Sequence, residues 1–66
     1  MVKLTLDQYL DERGITRYEL SKRSEIDYKT LNKYYHNRVR RYDSHVLDRI
    51  CAALNCQISD LIQFID

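Results

Sequence analysis

The sequence contains no proline, no tryptophan and a single glycine, Gly14. Tight turns and β-hairpins therefore lack their usual residues, and the composition favours helices. No apolar run approaches the roughly 20 residues of a membrane span, and the first residues do not resemble a secretory signal. We expect a cytoplasmic protein without a membrane segment, whose two cysteines, Cys51 and Cys56, stay reduced.

The chain also has little net charge, +1 over 66 residues, which by itself predicts no polyanionic partner. The distribution is more informative, because residues 17–41 carry a net charge of +5, whereas the preceding segment carries −1 and the following segment −3. Positive charge concentrated in the middle third is typical of a surface for nucleic acid. The length leaves room for one modest core, so residues 1–66 are predicted to form a single domain.

Capping residues and apolar spacing predict two helices in the first third of the chain. A capping box over Thr5 and Gln8 opens the first helix, and Gly14 ends it. A second capping box begins at Thr16 and opens a short helix that runs through Arg23. Both helices are thus bounded by local signals.

Three further helices are predicted in the remainder. Asp27 caps the third, which extends to His36 and is closed by Asn37, and residues 38–42 follow as a basic loop. The fourth starts at Asp43 or Ser44 and stops at Asn55. A final helix is predicted from apolar residues spaced three and four apart: Ile58, Leu61, Ile62 and Ile65. The predicted fold class is all-α, a compact domain of five helices.

The segment from about residue 16 to 36 has the features of a helix-turn-helix, in which two short helices meet at a short turn. Ser21 is small enough for a close approach of the helices, and Ile26 is placed to seal the turn. Leu31 and Tyr34 anchor the second helix of the pair inward. Its opposite face is therefore free to contact a partner.

That opposite face carries Lys29 and Lys33, four residues apart. Like charges at this spacing destabilise an isolated helix by roughly a few tenths of a kcal/mol, whereas the same pair becomes favourable when a polyanion binds to it. Lysine contacts guanine O6 or N7, asparagine pairs with adenine, and the threonine methyl touches that of thymine. The candidate base-contacting residues are Tyr28, Lys29, Thr30, Asn32 and Lys33.

Arginines on both sides of this helix are candidates for contacts to the phosphate backbone. Arg17 lies in the first turn of the preceding helix, where free N–H groups also attract phosphate. Arg38, Arg40 and Arg41 follow the helix. Such contacts fix the register of a protein on DNA and are sensitive to salt, but carry no sequence information directly.

Residues 15–35 resemble the helix-turn-helix of lambda-repressor/Cro-like (XRE-type) regulators, and residues 46–62 resemble the closing two helices of that family. The resemblance implies a five-helix, lambda-repressor-like domain that binds double-stranded DNA as a transcriptional regulator, here a repressor of phage, mobile-element or bacterial type. It places the family's phosphate contact on Arg17 and its base contacts on Tyr28, Lys29, Thr30 and Lys33. It also implies a homodimer on a pseudo-palindromic operator. We expect the last helix, with Phe64 and Ile65 near its end, to form the dimer surface, either alone or together with the fourth helix.

Three residues depart from the family pattern. Glu25 stands where glycine is favoured in the turn, so its backbone must tolerate a strained or shifted conformation. Ser21 replaces alanine, and Gln57 occupies a cap position where serine is better. None of the three lies on the face assigned to DNA.

Other interpretations stay open at this stage. The lysine pair is also compatible with a solvated face, the arginine cluster with a solubilising loop, and Tyr28 with packing against Tyr35. The fold also serves protein-interaction modules, such as partners of the antitoxin or antirepressor kind. His36, His45, Cys51 and Cys56 lack the paired spacing of zinc ligands. We expect no enzyme activity, cofactor, metal or small-molecule ligand.

Overall fold

The computed structural model describes all 66 residues as a strand, four helices, a 3₁₀ turn and a second strand. The elements are β1 (Val2–Leu4), α1 (Leu6–Arg13), α2 (Arg17–Ser24), α3 (Tyr28–Tyr35), α4 (Ser44–Leu54), the 3₁₀ turn (Ile58–Asp60) and β2 (Ile62–Phe64). None of the helices combines the length and the apolar character needed to cross a membrane. The first four predicted helices are confirmed.

Local caps set most of the helix ends. Gly14 adopts a left-handed conformation (φ 65°) at the end of α1, as predicted. The Thr16 hydroxyl accepts a hydrogen bond from the Glu19 N–H at 3.1 Å and completes the predicted capping box of α2. Asp43 caps α4, and Asn55 (φ 52°) ends it, both as predicted. These ends are determined within a few residues of sequence.

The core contains nine buried apolar side chains. They come from β1, the four helices, the turn between α2 and α3 and the residue before β2. α2 packs against both α3 and α4, so the helix-turn-helix rests on the centre of the domain. The core residues are Leu4, Leu6, Leu10, Leu20, Ile26, Leu31, Tyr34, Ile50 and Leu61. The inward anchors predicted for α3, Leu31 and Tyr34, are therefore confirmed.

The predicted fifth helix is wrong. After the single 3₁₀ turn the chain extends, and β2 pairs with β1 in a two-stranded antiparallel sheet. This sheet, called the hairpin below although its strands lie at opposite ends of the chain, places Val2 opposite Phe64 and Leu4 opposite Ile62. Backbone bonds extend the pairing at both ends, from Ile65 N–H to Met1 O (2.8 Å) and from Thr5 N–H to Leu61 O (2.7 Å). The two chain ends thus satisfy each other's polar groups, which no local periodicity reveals.

The pairing of the chain ends also changes the start of α1. The helix begins after Thr5 as predicted, but Thr5 makes no side-chain cap. Its hydroxyl instead donates to the Asp60 carbonyl at 3.3 Å. Asn37 takes a left-handed conformation (φ 58°) just after α3, and its Oδ1 accepts from the Leu4 N–H at 3.0 Å. The loop after α3 is therefore hydrogen-bonded to β1.

Candidate nucleic-acid interface

The turn between α2 and α3 is held by two serines. Ser21 Oγ donates to the Ile26 carbonyl at 2.7 Å, and Ser24 Oγ donates to Leu20 O at 2.6 Å while accepting from the Ile26 N–H at 3.3 Å. Glu25 adopts a left-handed conformation (φ 59°), in agreement with the strained or shifted backbone expected where glycine is usual. The serine in place of alanine therefore gains a hydrogen bond that fixes the turn.

α3 presents two lysines to solvent. Lys29 and Lys33 are exposed, on the side of the helix opposite Leu31, which is fully buried. Neither lysine forms an ion pair, since the molecule's one salt bridge joins Arg23 and Glu19. Two neighbouring unneutralised charges on one helical face provide an attractive site for an anionic partner.

Arg17 is packed against α3 and is only half exposed. Its guanidinium hydrogen-bonds to Asn32 Oδ1 and lies 3.3 Å from His36 Nε2. It also stacks over the rings of Tyr35, at 4.5 Å from the centroid, and Tyr28, at 5.6 Å. One cation therefore contacts three side chains of α3 and that of His36, which follows the helix. Three predicted site residues, Arg17, Tyr28 and Asn32, are brought together here.

A second contact links this cluster to α1. The Tyr35 hydroxyl donates to Asp11 Oδ1 at 3.1 Å, and this hydrogen bond, followed by burial, raises the pKa of Tyr35. Tyr28, Tyr35 and Arg17 line an open groove of about 540 Å³ between the start of α2 and α3. The Arg17 side of α3 is therefore aromatic as well as cationic.

Thr30 lies on the other flank of α3 and is half buried. Its hydroxyl donates to Asp27 Oδ1 at 2.8 Å and its N–H to Asp27 Oδ2 at 3.1 Å, which confirms the predicted cap. The side-chain hydrogen bond, followed by the backbone one, lowers the pKa of Asp27. Because the Thr30 hydroxyl is hydrogen-bonded within the protein, the methyl group of Thr30 is the part of the side chain that is available to contact a base.

The loop after α3 carries three exposed arginines, none of them in an ion pair. The Arg38 N–H donates to the Lys33 carbonyl at 2.8 Å, so the loop starts directly at the end of the helix. Arg40 lies further away, beside Met1 and Val2 in a groove of about 430 Å³ under the hairpin. Arg38 thus lies at the end of α3, and Arg40 lies beside β1.

A family model for the Cro/C1-type helix-turn-helix DNA-binding domain matches residues 5–66. The chain belongs to this family. The resemblance to lambda-repressor/Cro-like regulators is therefore confirmed, and the domain is one of DNA binding and transcription regulation. Comparison with curated proteins and with solved structures gave no match.

In this Cro/C1-type domain the contact of His36 with Arg17 was not predicted from the sequence, where His36 was considered only as a zinc ligand. His36 caps the end of α3, is exposed, and contacts Arg17. Its spacing was a usable signal, because it lies four residues after Asn32 and seven after Lys29, on the same outward stripe. No three His, Cys, Asp or Glu side chains are grouped to hold a metal ion.

Proposed function

We propose that this Cro/C1-type domain binds a specific sequence of double-stranded DNA and regulates transcription, as a repressor of phage, mobile-element or bacterial type. The observation that carries the proposal is the exposed, unpaired Lys29 and Lys33 on α3. In a helix-turn-helix this is the helix that enters the major groove. DNA as target also supports a cytoplasmic location.

Within this proposal the two flanks of α3 have different tasks. Lys29 and Lys33 contact base edges, and Asn32 donates through its amide nitrogen because Arg17 occupies its oxygen. Tyr28 and the Thr30 methyl supply further base contacts. We assign the phosphate backbone to Arg17 and to the loop arginines Arg38, Arg40 and Arg41, which are exposed and free of acidic partners.

A pair of variants tests this division. Lys33→Ala should change the base preferred at one position and cost about 1–3 kcal/mol on the correct site. Arg40→Ala should weaken all duplexes alike and reduce the slope of log K against log salt by about 1. The measurement is a salt titration on the selected site and on single-base variants of it. Identical behaviour of the two variants would contradict the assignment.

The proposed operator complex is a homodimer. One short helix reads few base pairs, so two copies on half-sites about 34 Å apart would extend the recognised sequence. The predicted surface, a terminal helix, does not exist, but Phe64 and Ile65, which were assigned to it, remain exposed. Phe64 is 70% exposed, opposite Val2, which is 45% exposed. We place the contact with the second copy at this pair, beside the unpaired edges of a two-stranded sheet.

The alternative function is a protein-interaction module of the antitoxin or antirepressor-partner kind. The same exposed hairpin favours it, because Phe64 and Val2 lie opposite each other as a joint apolar surface, and contiguous exposed apolar surface indicates a protein contact. A protein that forms a tight complex with another protein but binds no duplex at low salt would support this alternative and exclude the regulator.

A further inference from the structure

The end of α4 brings the two cysteines of the chain together. Asn55 is left-handed, its N–H donates to Ala52 O at 3.4 Å, and the Cys56 N–H donates to Cys51 O at 3.1 Å. These two bonds define a Schellman motif, in which the side chains of the residues joined by the longer bond characteristically touch. That contact is usually apolar, and here both positions are cysteine.

The backbone geometry at this helix end suits a disulfide. With standard bond lengths, the hydrogen bond between Cys56 N–H and Cys51 O keeps the two Cα atoms within about 7 Å of each other. Disulfides span Cα distances of roughly 4.4–6.8 Å. Both side chains also pack against the same core cluster, so they lie on the same side of the chain. A cross-link here requires no rearrangement of α4.

The surroundings of the pair are compatible with free thiols that react slowly. Both cysteines are unbridged and half buried. Burial, and then the neighbouring Cys51, raise the pKa of Cys56 to about 11. Cys56 is therefore mainly a thiol at neutral pH, and it reacts slowly because the thiolate is the reactive species.

We propose that Cys51 and Cys56 are a reversible modification site, at which a low-molecular-weight disulfide such as glutathione disulfide oxidises them to an intramolecular disulfide. One of the two cysteines attacks glutathione disulfide as its thiolate, forms a mixed disulfide and releases one glutathione, which takes up a proton. The other cysteine then loses its proton, attacks the sulfur of the first cysteine and displaces the second glutathione as a thiol. Two protein thiols are oxidised and one glutathione disulfide is reduced.

The bond would connect α4 to the segment that leads into the 3₁₀ turn and β2. It would fix the direction in which the chain leaves α4, the helix that packs on α2. Because the cysteines are already neighbours, the oxidised domain should keep its helical circular dichroism. This inference does not depend on the proposed DNA function.

The test uses the full chain, reduced and then equilibrated with glutathione disulfide at neutral pH. Intact mass should fall by about 2 Da, for two hydrogens lost, and both cysteines should become inert to alkylation until a dithiol reductant is added. Peptide mapping should join residues 51 and 56 of one chain. Stable glutathione adducts, disulfide-linked dimers, or thiols that stay alkylatable in the folded protein would overturn the proposal.

Single variants give the matched control. Cys56→Ser and Cys51→Ser should each retain one glutathione, a gain of about 305 Da, because the resolving thiol is gone. Failure of both variants to take up glutathione would contradict the proposed route. Circular dichroism verifies that both variants fold.

Discussion

The helix-turn-helix and the terminal hairpin differ in how they are held and in what they expose. The helix-turn-helix is fixed by side chains: the Thr16 capping box, the Asp27 cap and the Arg17 cluster. The hairpin is fixed by backbone hydrogen bonds between the two chain ends. The first region exposes unpaired cations, and the second exposes large apolar side chains such as Phe64.

This difference separates a surface suited to an anionic partner from one suited to protein. Asn37 connects the two regions, because it follows α3 and accepts a hydrogen bond from β1 through Leu4. Leu4 and Leu61 join the hairpin to the common core. The hairpin therefore packs against the core on which the helix-turn-helix rests, whereas its exposed side chains are not part of the candidate interface. The following predictions separate these contributions.

The largest expected effect is at the junction. Leu61→Ala should lower the free energy of unfolding by about 2–5 kcal/mol, because Leu61 is 1% exposed and its loss leaves a cavity under both strands. Ile58→Ala, at a residue that is 46% exposed, is the control and should cost about 0.5 kcal/mol or less. Chemical denaturation measures both. Similar losses would mean that the hairpin is not anchored by Leu61.

The next prediction concerns the exposed edge of the hairpin. Phe64→Glu should leave the unfolding free energy nearly unchanged, yet weaken the self-association proposed for the domain by about 2 kcal/mol or more. Sedimentation, together with binding to a two-half-site duplex, measures the effect. Binding to a single half-site should be unaffected. If the variant dimerises as well as the unchanged protein, the dimer surface lies elsewhere.

Arg17→Lys distinguishes positioning from simple charge. Lysine retains the positive charge but cannot match the planar stacking on Tyr28 and Tyr35 together with the bond to Asn32. We expect DNA affinity to fall about tenfold, or roughly 1.4 kcal/mol. Arg23→Lys, in an exposed ion pair on α2, is the control and should change little. If the two variants bind DNA equally well, Arg17 contributes only its charge, as a phosphate contact, and does not position α3.

The smallest effect concerns acid. Hydrogen bonds from Thr30 lower the pKa of Asp27 below its ordinary value of 3.8, so its charged form stabilises the fold above that value. This contribution should be lost as the pH falls through the lowered pKa. In Asp27→Asn the melting temperature should depend less on pH in this acid range. In Asp48→Asn, at an exposed position of α4, this pH dependence should be unchanged. If the curves of melting temperature against pH are parallel for Asp27→Asn and the unchanged protein, Asp27 does not contribute to the acid response.

The sequence predicted the elements whose ends are set by neighbours, including the caps at Thr16, Asp27 and Asn55, and an unusual backbone conformation at Glu25. It did not predict the hairpin, because the partner of Ile62 lies at the opposite end of the chain, and apolar residues spaced as in Ile58–Ile65 fit a helix as well. It placed Arg17 at the interface but not against Asn32, since that contact depends on how α2 packs on α3.

The central claim is that the exposed face of α3 recognises a DNA sequence. Selection from a random duplex library should enrich one pseudo-palindromic site with half-sites about 34 Å apart, and the double variant Lys29→Ala/Lys33→Ala should enrich none. Failure of the unchanged domain to enrich any sequence, or equal enrichment by the double variant, would contradict the claim.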